Sequence, residues 1–333
     1  MQQLLFEVEN VPFPTPKNYT FKFIDLFAGI GGFHLALSNL GMKCVFASEF
    51  DEAARKTYLA NHEIEEQFFN TDIRSASYDL IPDHDILCAG FPCQAFSHVG
   101  KRVGLTDGSN SERGNLFYCI SEILEVKKPR AFILENVRGL VNHDNGNTFK
   151  TIISSLENLN YSVSFKLLNA NDFGVPQHRE RIIIVAVHNS FSNKEFDFSS
   201  LINSSVCLSD ILEKEHHILL PHEYTLIDSS YIKKQKSGLI FCGYRNKNIR
   251  KVGVKENSLH LSRTHKQPNR IYSTDGLHPA LPSQESSGRF WIYDNGQVRK
   301  LTINECYRIM GFPENFIKIN NLSINLLYSY KLV

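Results

Sequence analysis

The residues best suited to chemistry are Cys93, Glu135, Arg179 and Arg181, each at or beside the end of an apolar run. Ile86-Leu87-Cys88-Ala89 leads into Gly90-Phe91-Pro92-Cys93-Gln94-Ala95-Phe96-Ser97. An apolar run that stops at glycine and proline predicts a buried strand ending in a tight turn. Pro92 fixes its own φ and pushes Phe91 towards extended backbone, so Cys93 is held stiffly at the strand's carboxyl end. A cysteine there is a nucleophile if nearby groups stabilise its thiolate, and otherwise a small buried residue capping a strand. Ala131–Leu134 is a second apolar run and ends in Glu135-Asn136-Val137. Its glutamate is either an exposed or capping side chain or an acid–base group on the same sheet edge as Cys93. Gln177-His178-Arg179-Glu180-Arg181 precedes a third run, Ile182–Val187. In extended chain Arg179 and Arg181 point to one face, and two guanidiniums there need a phosphate, carboxylate or carbonyl partner.

Other elements must bring these groups to one edge. Phe21–Phe27 reads as a first strand, followed by Ala28-Gly29-Ile30-Gly31-Gly32 and a helical run, Phe33–Leu40, that stops at Gly41. Strand, glycine turn and helix amino terminus form a nucleotide-type cradle, although many such turns bind nothing. Cys44–Ser48 is a second strand ending in Glu49-Phe50-Asp51. An acidic residue there, about 20 residues after the glycines, can accept hydrogen bonds from ribose hydroxyls. Glu49 fits that role, Phe50 could cover an adenine, and Asp51 reads as the cap of a helix over Glu52–Ala60. Asp72 ends a third short strand segment on the same edge. Ser97–Arg113, polar and interrupted by glycines, has the composition of a long loop. Helices are expected over Leu116–Val126 and Thr148–Leu159, and an alternating strand over Tyr161–Leu168.

After His188 the helical runs nearly vanish, which places a domain boundary near 190. Between Tyr231 and Arg270 stand seven Lys and four Arg against the single Glu256, on a chain whose net charge is only +1. That island is either a polyanion-facing surface or an ordinary solvated segment. Leu301–Met310 is again an amphipathic helix, with Thr302 and Glu305 in capping-box spacing, and it reads as a return to the first unit. The seven cysteines lack a C-x-x-C pair, which argues against a zinc knuckle or disulfide framework and for a reducing, cytoplasmic setting. No 18-residue apolar run exists, and the amino terminus lacks a signal pattern.

Taken together, the order and spelling of these stretches resemble the cytosine-C5 DNA methyltransferases, notably the bacterial restriction–modification enzymes. The matching stretches are Asp25–Gly32, Glu49-Phe50-Asp51, Gly90–Ser97, Glu135-Asn136-Val137, Gln177–Arg181 and Arg308–Pro313, covering about residues 21–187 and 275–316. The resemblance implies an α/β fold: a Rossmann-like AdoMet-dependent methyltransferase sheet with a smaller, mostly irregular or β target-recognition domain. It divides the chain into an extension (1–20), a cofactor-binding catalytic domain (21–188), a target-recognition domain (189–285) and a return to the catalytic domain (286–333). It implies S-adenosylmethionine as cofactor, with no metal. Phe27, Ala28, Gly29, Ile30, Gly31 and Gly32 would line the methionine part, Glu49 the ribose, and Phe50, Asp72 and Ile73 the adenine; Pro92 and Leu116 would complete the pocket.

The implied substrate is a cytosine in double-stranded DNA, flipped out of the helix at a cost of a few kcal/mol. Its C5 is a poor nucleophile. A Cys93 thiolate adding to C6 would push electrons into the ring, provided that Glu135 carries a proton for N3. Arg179 and Arg181 would grip the O2 and phosphate region and favour the thiolate. The Ser97–Gly114 loop would close over the DNA. Base contacts are expected from Gly238–Gln284. The family's closing Gly-Asn-Ser-Val type of segment has no counterpart here, which leaves open completion by a second chain, or a weakly active or non-catalytic DNA-binding remnant. A tRNA substrate is the alternative within the same fold. A nicotinamide oxidoreductase is disfavoured because the turn lacks G-x-G-x-x-G spacing.

Overall fold

The computed structural model describes residues 11–92, 116–201, 204, 206–214, 223–247, 257–281 and 291–319. Its first strand, β1 (Lys22–Leu26), turns through the glycines into α1 (Gly32–Asn39). β2 (Lys43–Ser48) feeds α2 (Glu52–Asn61), whose first turn Asp51 caps by accepting from the amides of Ala53 and Ala54. β3 (Phe69–Asn70), β4 (Ile86–Gly90), α3 (Leu116–Lys127) and β5 (Ala131–Val137) follow. The chain continues through α4 (Gly139–Asn142), α5 (Asn147–Asn158), β6 (Tyr161–Asn169), β7 (Gln177–His178) and β8 (Glu180–His188). Expected and observed helix ends differ by a residue or two.

Seven strands form one sheet in the order β3-β2-β1-β4-β5-β8-β6. The β1–β5 pairings are parallel, whereas β8 runs antiparallel to both β5 and β6. Apolar runs buried on both faces look the same in either direction, so periodicity cannot announce that reversal. One face packs Ile24, Leu26, Leu87, Ala89, Phe132, Leu134 and Ile184 against α3 (Phe117, Ile120, Ile123) and α5 (Phe149, Ile152, Leu156). The opposite face packs Phe23, Ala47 and Cys88 against Leu37 of α1 and Tyr58 of α2. Each fully buried Leu, Ile or Phe contributes roughly 1.5–3 kcal/mol, so helices on both faces hold the sheet rigidly. This is the Rossmann-like arrangement.

A second, five-stranded sheet is built from β9 (Tyr224–Leu226), β10 (Phe241–Arg245), β11 (Arg270–Ser273), β13 (Trp291–Asp294) and β14 (Gln297–Lys300), in the order β14-β13-β11-β10-β9. Between β11 and β13, the short strand β12 (His278–Pro279) pairs in parallel with β7, and the amide of His278 donates to Pro176 O at 2.8 Å. After β14 comes α6 (Ile303–Ile309), where Thr302 and Glu305 form the expected capping box. Ile309 and Tyr307 of α6 lie in one cluster with Ile30, Leu35, Ala54, Ile292 and Leu301, so this helix joins the glycine turn to the second sheet. Beneath α6, Arg299 is 1% exposed and reaches Glu305 and Asp294 at 2.9 Å each.

Candidate active site

Register aligns the carboxyl ends of the central strands. Asn70 pairs with Ser48, Ser48 with Leu26, Leu26 with Ala89, and Gly90 with Glu135. Glu135 in turn faces Ile183, and Val137 faces Arg181. Leu26 before the glycine turn, Ser48 before Glu49, Asn70, Gly90, Glu135 and Arg181 therefore lie along one rim of one sheet, where open α/β folds take their ligands. Cys93 lies outside the described residues, as does the expected loop over 97–114.

The glycine turn at the end of β1 is built on left-handed backbone. Phe27 and Gly29 both have φ +57 and Gly31 has φ +93. A non-glycine residue at positive φ, as at Phe27, is uncommon and marks a held conformation. The amide of Ala28 donates to Ser48 O (3.0 Å) and that of Gly29 to Glu49 Oε2 (2.9 Å). Glu49 also accepts from the amide of Asp51 (2.8 Å). Burial nevertheless pushes the Glu49 carboxyl up from its usual value, the two amides only partly offsetting it. Phe50 presents its ring to solvent, 72% exposed, with the Arg74 guanidinium 5.9 Å from the ring centroid. Arg74 pairs with Asp72 at 2.6 Å and holds that carboxyl below its usual range. Ile73 is buried among the core residues, and Leu116 packs against the same cluster.

At the other end of the rim, buried Glu135 meets Arg181, Nε to Oε1 at 2.6 Å. Burial lowers the guanidinium of Arg181, against the pull of Glu135. Arg179 is brought down to about 9, first by burial, then by the charge of Arg181, with Glu135 opposing. At about 9, Arg179 stays cationic near neutral pH. Both arginines stand close enough to Glu135 to interact with its charge.

Three supporting residues were not assigned roles from the sequence. Asn136 Nδ2 donates to Phe91 O (2.8 Å), fixing the chain two residues before Cys93 to the strand that carries Glu135. Asn169 Oδ1 accepts from the amide of Arg179 (2.9 Å). Arg138 bridges to Glu180 at 2.6 Å, between the ends of β5 and β8. Only Asn136 carried a signal, as a second polar residue beside Glu135 at the end of an apolar run. Of the described cysteines, Cys44, Cys88, Cys119 and Cys242 have thiols pushed up by burial, Cys242 to about 12, so none of these is poised as a thiolate. Among the described residues, no group of three His, Cys, Asp or Glu could hold a metal ion, and no helix is long and apolar enough to cross a membrane.

The sheet order defines an α/β protein with a left-handed glycine turn and a part-buried acid toward one end of a sheet rim and a carboxylate–arginine cluster toward the other. The chain matches the family of C-5 cytosine-specific DNA methylases over residues 21–330, and it belongs to that family. It is 37% identical over 300 residues to the Type II methyltransferase M.HhaI of Haemophilus parahaemolyticus, covering 89% of this chain and 85% of that protein. It is 41% identical over 298 residues to M.DsaV of Dactylococcopsis salina, covering 89% and 77%. The crystal structure of the S. pombe Dnmt2 methyltransferase shares the fold, with TM-score 0.63, 20% identity, and coverage of 94% of this chain and 93% of that one.

Proposed function

We propose that this protein is a cytoplasmic DNA (cytosine-5)-methyltransferase that uses S-adenosylmethionine, modifies a specific sequence in double-stranded DNA, and acts beside a cognate restriction endonuclease. The observation that carries the reading is the alignment of strand ends, which sets the glycine turn, Glu49, Glu135 and Arg181 along one rim in a chain of this family.

The residues present suit the cofactor. Left-handed backbone at Gly29 lets a ligand approach the turn closely, Glu49 stands at the end of β2 for ribose hydroxyls, and an exposed Phe50 ring with Asp72 nearby suits adenine. Ile73 would pack at the adenine, with Pro92 and Leu116 completing the pocket. When bound, S-adenosylmethionine supplies a methyl group on a sulfonium.

The chain's own groups would then act as follows. Arg179 and Arg181 hold the O2 and phosphate side of the flipped cytosine and favour a thiolate at Cys93. Cys93 adds to C6, and Glu135 delivers a proton to N3, so that negative charge does not build up on the ring. Asn136 keeps the segment before Cys93 tied to the strand of Glu135. Loss of the C5 proton after methylation expels the Cys93 thiolate, and N3 returns its proton to Glu135. In this division, residues 21–188 and 286–333 carry the chemistry, 189–285 read the DNA, and 1–20 are an extension.

The test is transfer of labelled methyl to duplex DNA, with tRNA assayed in parallel. Transfer to duplex DNA, abolished in Cys93→Ser, is the expected result. Unchanged transfer in Cys93→Ser removes that residue as nucleophile, and transfer to tRNA alone overturns the substrate.

A further inference from the structure

The ring of His62, at the end of α2, lies directly against the glycine turn. A β carbon built on Gly31 would come within 2.3 Å of its Nε2 and 2.5 Å of its Cδ2. The imidazole thus fills the space that any side chain at position 31 would need. It is 1% exposed and stacks on His34 of α1, with centroids 4.3 Å apart and planes 18° apart. Tyr58 meets it edge-on at 4.9 Å, and the Tyr58 hydroxyl lies 2.5 Å from His34 Nδ1. Three rings from two helices therefore form a packed floor under the turn.

Asn61, the preceding residue, ties that floor to distant parts of the chain. Its Nδ2 donates to Ile317 O (2.9 Å), and the amide of Ile317 donates back to its Oδ1 (2.7 Å). Its Nδ2 also donates to Thr57 O within α2 (2.8 Å), and its carbonyl accepts from the amide of Phe13 (3.1 Å). The rings of Phe13 and Phe316 approach His62 at 5.8 and 6.1 Å. The end of α2 gathers the turn, the segment after α6 and the start of the described chain into one joint.

We propose that Asn61 and His62 are positioning residues for the cofactor cradle: His62 holds the turn at Gly31 in its left-handed form, and Asn61 locks that support to Phe316–Ile317. The proposal rests on reading the turn as the seat of S-adenosylmethionine. Glycine populates left- and right-handed backbone about equally, so a bare glycine turn must be ordered when a ligand binds. A ring wedged behind it meets that ordering cost during folding, and the cofactor then meets a preformed seat.

Calorimetric titration of S-adenosylmethionine into the full chain, gel shift with duplex DNA, and amide hydrogen exchange at Gly31, whose N–H donates to Ala28 O at 2.9 Å, together test it. His62→Ala should weaken cofactor binding about tenfold, within the range for residues that act through a neighbour, and leave DNA affinity unchanged. His62→Phe, which returns a flat ring to the stack, should restore most of that loss, and Asn61→Ala should shift binding in the same direction as His62→Ala. Exchange at Gly31 should be faster in cofactor-free His62→Ala than in the wild type. Wild-type cofactor affinity in His62→Ala, or parallel loss of cofactor and DNA binding with a lowered Tm, overturns the proposal. If the wild type takes up no S-adenosylmethionine, the functional reading fails instead. Exchange at Gly31 then decides the positioning role, and an unchanged rate in His62→Ala overturns it.

Discussion

Acid should unfold this protein partly through His62, and the size of the effect follows from its burial. Enclosure among Phe13, His34, Tyr58 and Phe316 lowers its imidazole from 6.5 to about 4, chiefly because a charge there is stripped of water. Between those values the unfolded chain binds a proton at this residue and the native chain does not, so stability falls as pH drops from above 6.5 towards 4. The full shift of about 2.5 units corresponds to ~3 kcal/mol, of which about 2 kcal/mol is lost by pH 5. His34, lowered by burial and by His62, acts in the same direction. Asp25 opposes both. Its carboxyl is raised well above the usual range by burial, despite the backbone N–H of His34, so the native state holds a proton that the unfolded state has released. Total acid sensitivity therefore mixes signs, and a difference between variants reports His62 together with its charge effect on His34. Urea unfolding of the wild type and His62→Phe at pH 7.5 and 5.0 measures it. The wild type should lose about 2 kcal/mol more than the variant over that interval, whatever the cost of fitting phenylalanine at neutral pH. Equal losses would refute the claim that His62 is held neutral.

Three further outcomes are expected. Asn136→Ala leaves the carbonyl of buried Phe91 without its donor; urea unfolding should show a loss of about 1–3 kcal/mol, and methyl transfer should fall as the segment before Cys93 loosens. Glu305→Ala removes one of the two carboxylates that pair with the buried guanidinium of Arg299, with a loss of about 3 kcal/mol by the same method, and the double replacement Arg299→Met with Glu305→Leu should recover part of it. Thr302→Ala removes the cap of α6, which accepts from the amide of Glu305 at 3.1 Å; its unfolding midpoint should drop by the equivalent of about 1 kcal/mol.

Local signals carried well from sequence to structure. Asp51 caps α2, Thr302 and Glu305 close the capping box of α6, and the glycines after β1 take left-handed backbone, because each depends on residues within a few positions of one another. Direction and pairing did not carry. β8 lies antiparallel between β5 and β6, and the five-stranded sheet joins β10 to β11 across residues 246–269. Such partners are chosen by tertiary packing, which a period-2 pattern does not record. In the site, Glu135 and the two arginines were legible as polar residues at the ends of apolar runs. The floor of His34, Tyr58 and His62 was not, since each alone reads as an ordinary helix residue. Only the close approach at Gly31 reveals what they do together.

The two-residue ladder between β7 and β12 limits how freely the second sheet could be exchanged. His278 and Pro279 rest on Gln177 and His178, one step before Arg179. A chimaera that imports a relative's residues 224–281 to rewrite base preference must bring a segment that docks on this same rung. Otherwise Arg179, proposed above to steady the flipped base, loses its neighbour, and altered specificity should come with slower turnover.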